Sequence, residues 1–248
     1  MYKRVLIKLS GEALAPTDSN DGIFDADKLE CVCKELITAH NCGTQIAVVI
    51  GAGNIWRGRN NIGFSKGEAD SMGMLATIIN SIAVRSTIER LGSHAKLFTS
   101  VTIPSIAETF NSVKGNKALD DGNIVIIGGG TGNPFFTTDT AAVLRALELN
   151  CDASFFAKDI DAVYNRDPHG NSDITLKRFR KMNFDSILVN GLKVIDLSAA
   201  AMCKEKNMDV VLFALNGQAK ITEILSGDKE PGTIISNKII NNILEDVE

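Results

Sequence analysis

Several familiar signatures are missing from this 248-residue chain, and each absence removes a class of function. There is no G-x-x-x-x-G-K-[ST], which excludes a Walker-type loop. A G-x-G-x-x-G is also absent, because Gly51-Ala52-Gly53 is followed by Trp56 where a third glycine belongs. Neither a Ser-centred nucleophile elbow nor a protein-kinase catalytic loop occurs. The three histidines, His40, His94 and His169, sit far from the glycine turns or in loop contexts, so no histidine general base is placed. Five cysteines (Cys31, Cys33, Cys42, Cys151 and Cys203) form an odd, scattered set without zinc-ligand spacing. They read as small buried or half-buried residues in a reducing compartment. A positive excess is lacking too: the net charge of −4 argues against general nucleic-acid or membrane-surface binding. No run approaches the roughly 18 apolar residues of a membrane span. With no leader peptide visible ahead of the first strand, the expected location is cytoplasmic.

What is present is globular: 44% hydrophobic and 23% charged residues in a length near the ceiling for one core. One domain over residues 1–248 is expected, with lobes of roughly 1–150 and 151–248. The most informative stretch runs from Ile124 to Ala141. An apolar β-branched run stops at Gly128-Gly129-Gly130, a polar loop follows, and a helix opens at Thr138 or Asp139. Strand, glycine turn and helix N-terminus present backbone N–H groups to an anion. The same pattern also fits a tight β–α turn with an ordinary cap.

Three further strands end in a similar way. Val5–Leu9 reads as a strand buried on both faces, with Lys8 near its end followed by Ser10 and Gly11. Lys8 either snorkels to solvent or meets something anionic. Gln45–Ile50 runs into Gly51–Gly58, which carries Arg57; that residue is either a surface side chain or a phosphate clamp. Ala153–Lys158 runs into Asp159–Pro168. Between them, Asp27–Glu30 resembles a capping box opening a helix whose face is Leu29, Val32, Cys33, Leu36 and Ile37. After a Gly-, Asn- and Ser-rich stretch over 59–67, the longest helix repeats Met72, Leu75, Ile79 and Ile82. Its periodicity assigns that face to the core, with a subunit interface as the alternative. Asp70 falls in its first turn, where a carboxylate favours the helix dipole. Ala95–Ser100 and Asp209–Leu215 are further strands, Asp196–Asn207 and Ala219–Leu225 are helices, and Gly232–Ile235 is a closing strand. Alternating strands and helices predict an α/β fold with a mainly parallel sheet covered on both faces. Ligands of such sheets sit beyond the strands' carboxyl ends, where all four features converge on one site.

With those residues in view, the chain resembles the bacterial UMP kinases of the amino acid kinase family from Tyr2 to about Asn237. The resemblance rests on Lys8–Leu14, Gly51–Gly58, Asp70–Thr77, Thr131–Asp139 and Asp161–Pro168. The Gly132–Thr138 run sets it apart from acetylglutamate, carbamate, glutamate 5- and aspartate kinases. It implies a three-layer αβα sandwich, usually a homohexamer, that moves a phosphoryl group from ATP with Mg²⁺ to UMP, in pyrimidine nucleotide biosynthesis. Carried over by position, Lys8, Leu9, Ser10, Gly11, Gly53 and Arg57 would lie along the ATP phosphates. Lys158, Tyr164 and Asp167 would hold the adenosine. Ala52, Asp70, Thr131, Gly132, Asn133, Pro134, Phe135, Phe136, Thr137 and Thr138 would bind UMP, with Asp70 on the ribose hydroxyls. Lys8, Arg57 and Asp139 would be the catalytic set, with Asp139 orienting Lys8 and no protein-held metal. UTP as inhibitor and GTP as activator are the implied effectors. Ala52 stands where the family often has glycine, Lys158 where many members have a small hydroxyl residue, and Pro16–Gly22 departs from the segment linked to GTP. The competing readings are another enzyme of the same fold, or a non-catalytic UTP- or GTP-sensing module.

Overall fold

A computed structural model describes residues 2–17, 22–57, 63–158, 160–165, 176–190, 192, 195–215 and 220–246. Its elements in chain order are β1 (Arg4–Leu9), α1 (Ala26–Asn41), β2 (Gln45–Ile50), α2 (Lys66–Arg90), β3 (Ala95–Thr99), β4 (Glu108–Thr109), α3 (Ser112–Asp120), β5 (Ile124–Gly128) and α4 (Thr138–Glu148). They continue as β6 (Ala153–Lys158), β7 (Val163–Tyr164), β8 (Lys177–Met182), α5 (Phe184–Asn190), α6 (Leu197–Lys206), β9 (Asp209–Ala214), α7 (Ile221–Ser226), β10 (Thr233–Ile235) and β11 (Ile243–Asp246).

One sheet runs in the order β11-β8-β10-β9-β6-β1-β2-β5-β3-β4, with β7 added on β8. From β9 to β4 every neighbouring pair is parallel, as the alternation of strands and helices predicts. The antiparallel pairs cluster at the far end, where β10 meets β9 and β8 meets both β7 and β11. β1 is central, with β2 on one side and β6 on the other. The four strands that end in flagged residues (β6, β1, β2 and β5) are therefore consecutive neighbours.

Side chains alternate faces along each strand, so the sheet feeds two cores. Val5, Ile7 and Leu9 of β1 pack with α1 and α7, together with Ile46, Val48 and Ile50 of β2. Leu6, Val49, Val125, Ile127 and Phe156 point to the other layer, against α4 and α6. Lys8 and Lys158 have the parity of Leu6 and Phe156, which sends both toward α4.

Several expectations are corrected. The side chain of Asp25, rather than Asp27, caps α1, accepting from the N–H groups of Asp27 and Lys28. α4 does open at Thr138, and Thr137 caps it. Asp70 lies in the second turn of α2, while Ser65 and Glu68 form the capping box. The apolar stripe of α2 meets the core at Ile82 but turns outward at Leu75 and Ile79. Leu75 is 52% exposed and Ile79 44%, whereas Ala76, Thr77, Asn80, Ser81, Val84, Thr87 and Ile88 are buried. The helix crosses β5 closely there: a Cβ at Gly128 would press on Ser81 Oγ and on Ile78, so the strand has no room for a side chain at that crossing. Thr233–Ile235 does not close the sheet, because β11 follows it. α3, α5, β4, β7, β8 and β11 carry no local signal in the sequence reading. Among the described residues no helix is long and apolar enough to cross a membrane.

Candidate active site

At the carboxyl edge of the sheet, β1 and β6 deliver two ammonium groups to one carboxylate. Lys8 Nζ lies 3.2 Å from Asp139 Oδ1, and Lys158 Nζ lies 3.2 Å from Asp139 Oδ2. All three side chains are at most one-fifth exposed. Asp139 sits in the first turn of α4, where the helix dipole adds to the pull of the lysines. Burial alone would raise its carboxyl, but Lys8 and Lys158 together hold it below the usual aspartate value. Lys158 moves the other way. Burial, with Lys8 close by, outweighs the attraction of Asp139 and lowers its ammonium from 10.5. The two directions agree once the stoichiometry is counted, since one carboxylate serves two cations. The cluster retains a positive charge, suited to an incoming anion.

The N-terminus of α4 is tied down by a residue read from sequence only as a helix start. Asp196, the N-cap of α6, accepts from Thr137 Oγ1, from Thr140 N–H at 3.1 Å, from Thr140 Oγ1 at 2.8 Å and from Ala199 N–H at 2.8 Å. One carboxylate thus serves two helix starts. A lone Asp before an apolar helix carries only the signal of its own cap, so its second role is invisible in the sequence.

Two clefts flank this cluster. A cleft of about 240 Å³ lies between α2 and the β5–α4 loop, lined by Ala52, Gly53, Trp56, Ala69, Asp70, Gly73, Met74, Thr77, Gly130, Thr131, Asn133, Phe136, Thr137 and Thr138. Seven of the predicted acceptor residues are in that set. Gly132, Pro134 and Phe135 belong to the same loop without lining the cleft. The loop reverses through Gly129 (φ +86°), Gly130 (φ +58°) and Gly132 (φ +82°), angles that L side chains adopt rarely. Asp70 does not wait free for a ligand. Its carboxylate accepts the Phe135 N–H at 2.8 Å, which fixes a residue at φ +73°, and pairs with Lys66 at 2.7 Å. Burial pulls its pKa upward, yet the Lys66 ammonium and the Phe135 N–H hold it below the ordinary value. Trp56 forms another wall, its indole N–H donating to the Ala69 carbonyl at 2.8 Å.

A second cleft of about 380 Å³ lies on the β1–β6–β9 side, lined by Ser10, Glu12, Ala13, Lys28, Cys31, Val32, Ala157, Lys158 and Leu215. Gly11 opens a 3₁₀ turn (Gly11–Leu14) and is buried; Leu9 points fully into the core, leaving its backbone alone for contacts. Arg57 does not reach the lysines. It donates to Glu12 Oε1 at 3.1 Å and to the Gly53 carbonyl at 3.2 Å, and its side chain is 61% exposed. Glu12 also accepts from Ser10 Oγ at 2.5 Å, and its carboxylate occupies the space a Cβ at Gly53 would need. Glu12 therefore sits where Ser10, Gly53 and Arg57 converge, a role its place in the Lys8–Leu14 motif did not disclose. Tyr164 lies apart on β7, donating its hydroxyl to Asp161 at 2.6 Å, and burial first, then that carboxylate, pushes it up to about 12. Asp167 is outside the described residues, as are Gly58, residues 59–62, Asp159, Arg166 and Pro168.

A parallel sheet covered on both faces, with glycine turns and paired ammonium groups at its carboxyl edge, defines an α/β protein built to hold anionic groups. The model of the amino acid kinase family matches residues 3–214, and the chain belongs to that family. A uridylate kinase of Bacteroides thetaiotaomicron is 41% identical over 238 residues, covering 95% of this chain and 99% of that protein. Among solved structures, UMP kinase from Bacillus anthracis superposes with a TM-score of 0.91 at 35% identity, covering 98% of this chain and 99% of the other. UMP kinase from Ureaplasma parvum gives 0.88 at 29% identity, covering 96% and 100%.

Proposed function

We propose that this chain is a UMP kinase, transferring the γ-phosphoryl group of ATP to the phosphate of UMP to give UDP and ADP in pyrimidine nucleotide synthesis. The observation that carries the reading is the Lys8–Asp139–Lys158 cluster set between two clefts, in a chain 41% identical to a uridylate kinase along nearly its whole length. UMP occupies the cleft of Asp70 and the Thr131–Thr138 loop, drawn from the 1–150 lobe. ATP lies along Lys8–Gly11, Gly53 and Lys158, with its adenosine on the 151–248 lobe near Tyr164 and Asp167.

Phosphoryl transfer asks for positioning and charge stabilisation more than covalent chemistry. An oxygen of the UMP phosphate forms a bond to the γ-phosphorus as the bond to the β–γ bridging oxygen breaks, and ADP leaves with that electron pair. The attacking oxygen is already anionic near neutral pH, so no general base is required. Lys8 and Lys158 face the charge on the moving group, and Asp139 fixes their direction. Arg57 joins by exchanging Glu12 for a phosphate oxygen. Mg²⁺ enters as the counter-ion of ATP and part of the substrate. Asp139 is committed to two ammonium groups rather than to the ion. Homohexamer assembly, with the exposed Leu75 and Ile79 face of α2 in an interface, and control by UTP and GTP complete the proposal.

A coupled assay with ATP and UMP, CMP, dUMP, AMP and GMP, run beside a hydroxamate assay with carbamate and acetylglutamate, tests it. ADP release with UMP as the best acceptor is expected. Acyl-phosphate formation would move the chain to another branch of the family, and UTP or GTP binding without any turnover would make it a sensor.

A further inference from the structure

Arg145 belongs to neither cleft, yet its side chain is only 8% exposed, on the inner face of α4. Its guanidinium lies 4.5 Å from the ring centroid of Phe110, and Nη1 donates to Glu148 at 2.5 Å. Nη2 donates to two acceptors at the glycine loop, Ser100 Oγ at 3.1 Å and the Thr131 carbonyl at 3.3 Å. Ser100, which accepts from Arg145, in turn donates its hydroxyl to the Gly130 carbonyl at 2.7 Å. One planar fork therefore holds two successive loop residues, Thr131 directly and Gly130 through a hydroxyl.

That loop needs an external hold. Gly129, Gly130 and Gly132 all hold positive φ, and without a Cβ each has the most backbone freedom to lose on ordering. Within the loop, Gly132 N–H donates to the Gly129 carbonyl at 2.9 Å. On the α2 side Thr77 Oγ1 accepts from Gly129 N–H at 2.8 Å. The opposite side is gripped by Ser100 and Arg145. The peptide is planar and trans, so fixing the Gly130 carbonyl on Ser100 also fixes the direction of the Thr131 N–H. Gly130 and Thr131 are both walls of the 240 Å³ cleft.

We propose that Arg145 is a positioning residue for the acceptor nucleotide: it sets the Gly130–Thr131 segment from behind and never touches the ligand. The inference rests on reading that cleft as the UMP site. Pre-ordering a glycine-rich wall lowers the entropy lost when the ligand binds.

The test uses the full chain and three variants, Arg145→Met, Arg145→Lys and Ser100→Ala. The lysine retains a charge for Glu148, but its single nitrogen lacks the fork that holds Ser100 and Thr131. Three quantities are read: UMP affinity by calorimetry without ATP, the KM values for UMP and ATP, and hydrogen exchange over residues 129–133 in the free protein. For both Arg145 variants, UMP binding is expected to weaken by about tenfold to a hundredfold. The KM for ATP should stay within about twofold, and exchange over 129–133 should quicken. Ser100→Ala should share the effect and combine with Arg145→Lys less than additively. Unchanged UMP affinity, or equal losses toward both substrates in step with falling Tm, overturns the proposal. Should Arg145→Met fail to fold, the other two variants decide. If the unmodified chain neither binds nor phosphorylates UMP, the proposed function fails, while the exchange measurement still judges the clamp.

Discussion

Two lysines on one aspartate make a local charge excess that the protein holds in a nearly dry place, and its consequences are measurable. Replacing Lys8 by Met removes the donor proposed for the moving phosphoryl group and should lower kcat by roughly 10²–10³; normal turnover would end that assignment. Lys158 loses its proton more readily than an ordinary lysine, so the alkaline limb of kcat/KM for ATP should fall below 10.5. In Lys158→Met that limb should disappear. Because the folded chain holds this proton more weakly than the unfolded one, the charged lysine costs stability, a cost relieved as pH climbs toward 10.5. Asp139 has the reverse sense: its stabilisation is present above the unfolded value near 3.8 and is lost as pH falls through its lower folded value. Asp139→Asn should flatten that acid limb in denaturation experiments while costing about 3–5 kcal/mol at neutral pH, since two ammonium groups are left without an anion. Lys8, and with the resemblance Asp139, were legible because a cation at the end of an apolar strand demands a partner. Asp196 and Glu12 were not, because each looks like an ordinary cap or motif residue until distant segments meet on it.

At the scale of elements, the helix α2 shows what an apolar stripe can and cannot say. Its stripe of Met72, Leu75, Ile79 and Ile82 has the right period for a core face, yet Leu75 and Ile79 look outward. The buried side mixes Ala76, Thr77, Asn80 and Ser81, where the helix passes close to Gly128, with the core residues Ile78, Val84 and Ile88, so it carries no continuous apolar stripe of its own. Placing a charge on the outward face, as in Leu75→Glu with Ile79→Glu, should leave the circular dichroism of the protomer intact. The proposed homohexamer should then sediment as smaller species, and an unchanged sedimentation coefficient would remove that face from any interface. β8 escaped notice for a similar reason. Lys177, Arg178, Arg180 and Lys181 crowd six residues, but Glu245 and Asp246 on β11 answer three of those charges across the sheet. A strand whose charges are matched by a segment over 60 residues later carries no local signature.

For the molecule as a whole, the parallel sheet and the convergence on one edge could be read directly, because β1, β2, β5 and β6 are each a short, largely apolar run with a glycine or a charge at its far end. The antiparallel margin could not, since its strands lack that contrast. A ligand that binds only the folded form at a hundred times its Kd stabilises it by about 2.7 kcal/mol. For a chain of this length that is a Tm rise of roughly 5–10 °C, and UMP should produce it in a thermal melt while AMP should not. A flat response to saturating UMP would contradict the acceptor assignment.

The indole held against Ala69 is the chain's single tryptophan, and it forms part of the wall of the proposed acceptor cleft. Light excited at the red edge of protein absorption is therefore emitted from one known address. Emission colour and quenching by a soluble collider should follow occupancy of that cleft, giving an optical titration that needs no label and no coupled enzyme. Neither tyrosine lines that cleft: Tyr2 packs edge-on against Phe155 beneath β1 and β6, and Tyr164 sits on β7. The protein carries its own gauge for the first step of its proposed reaction.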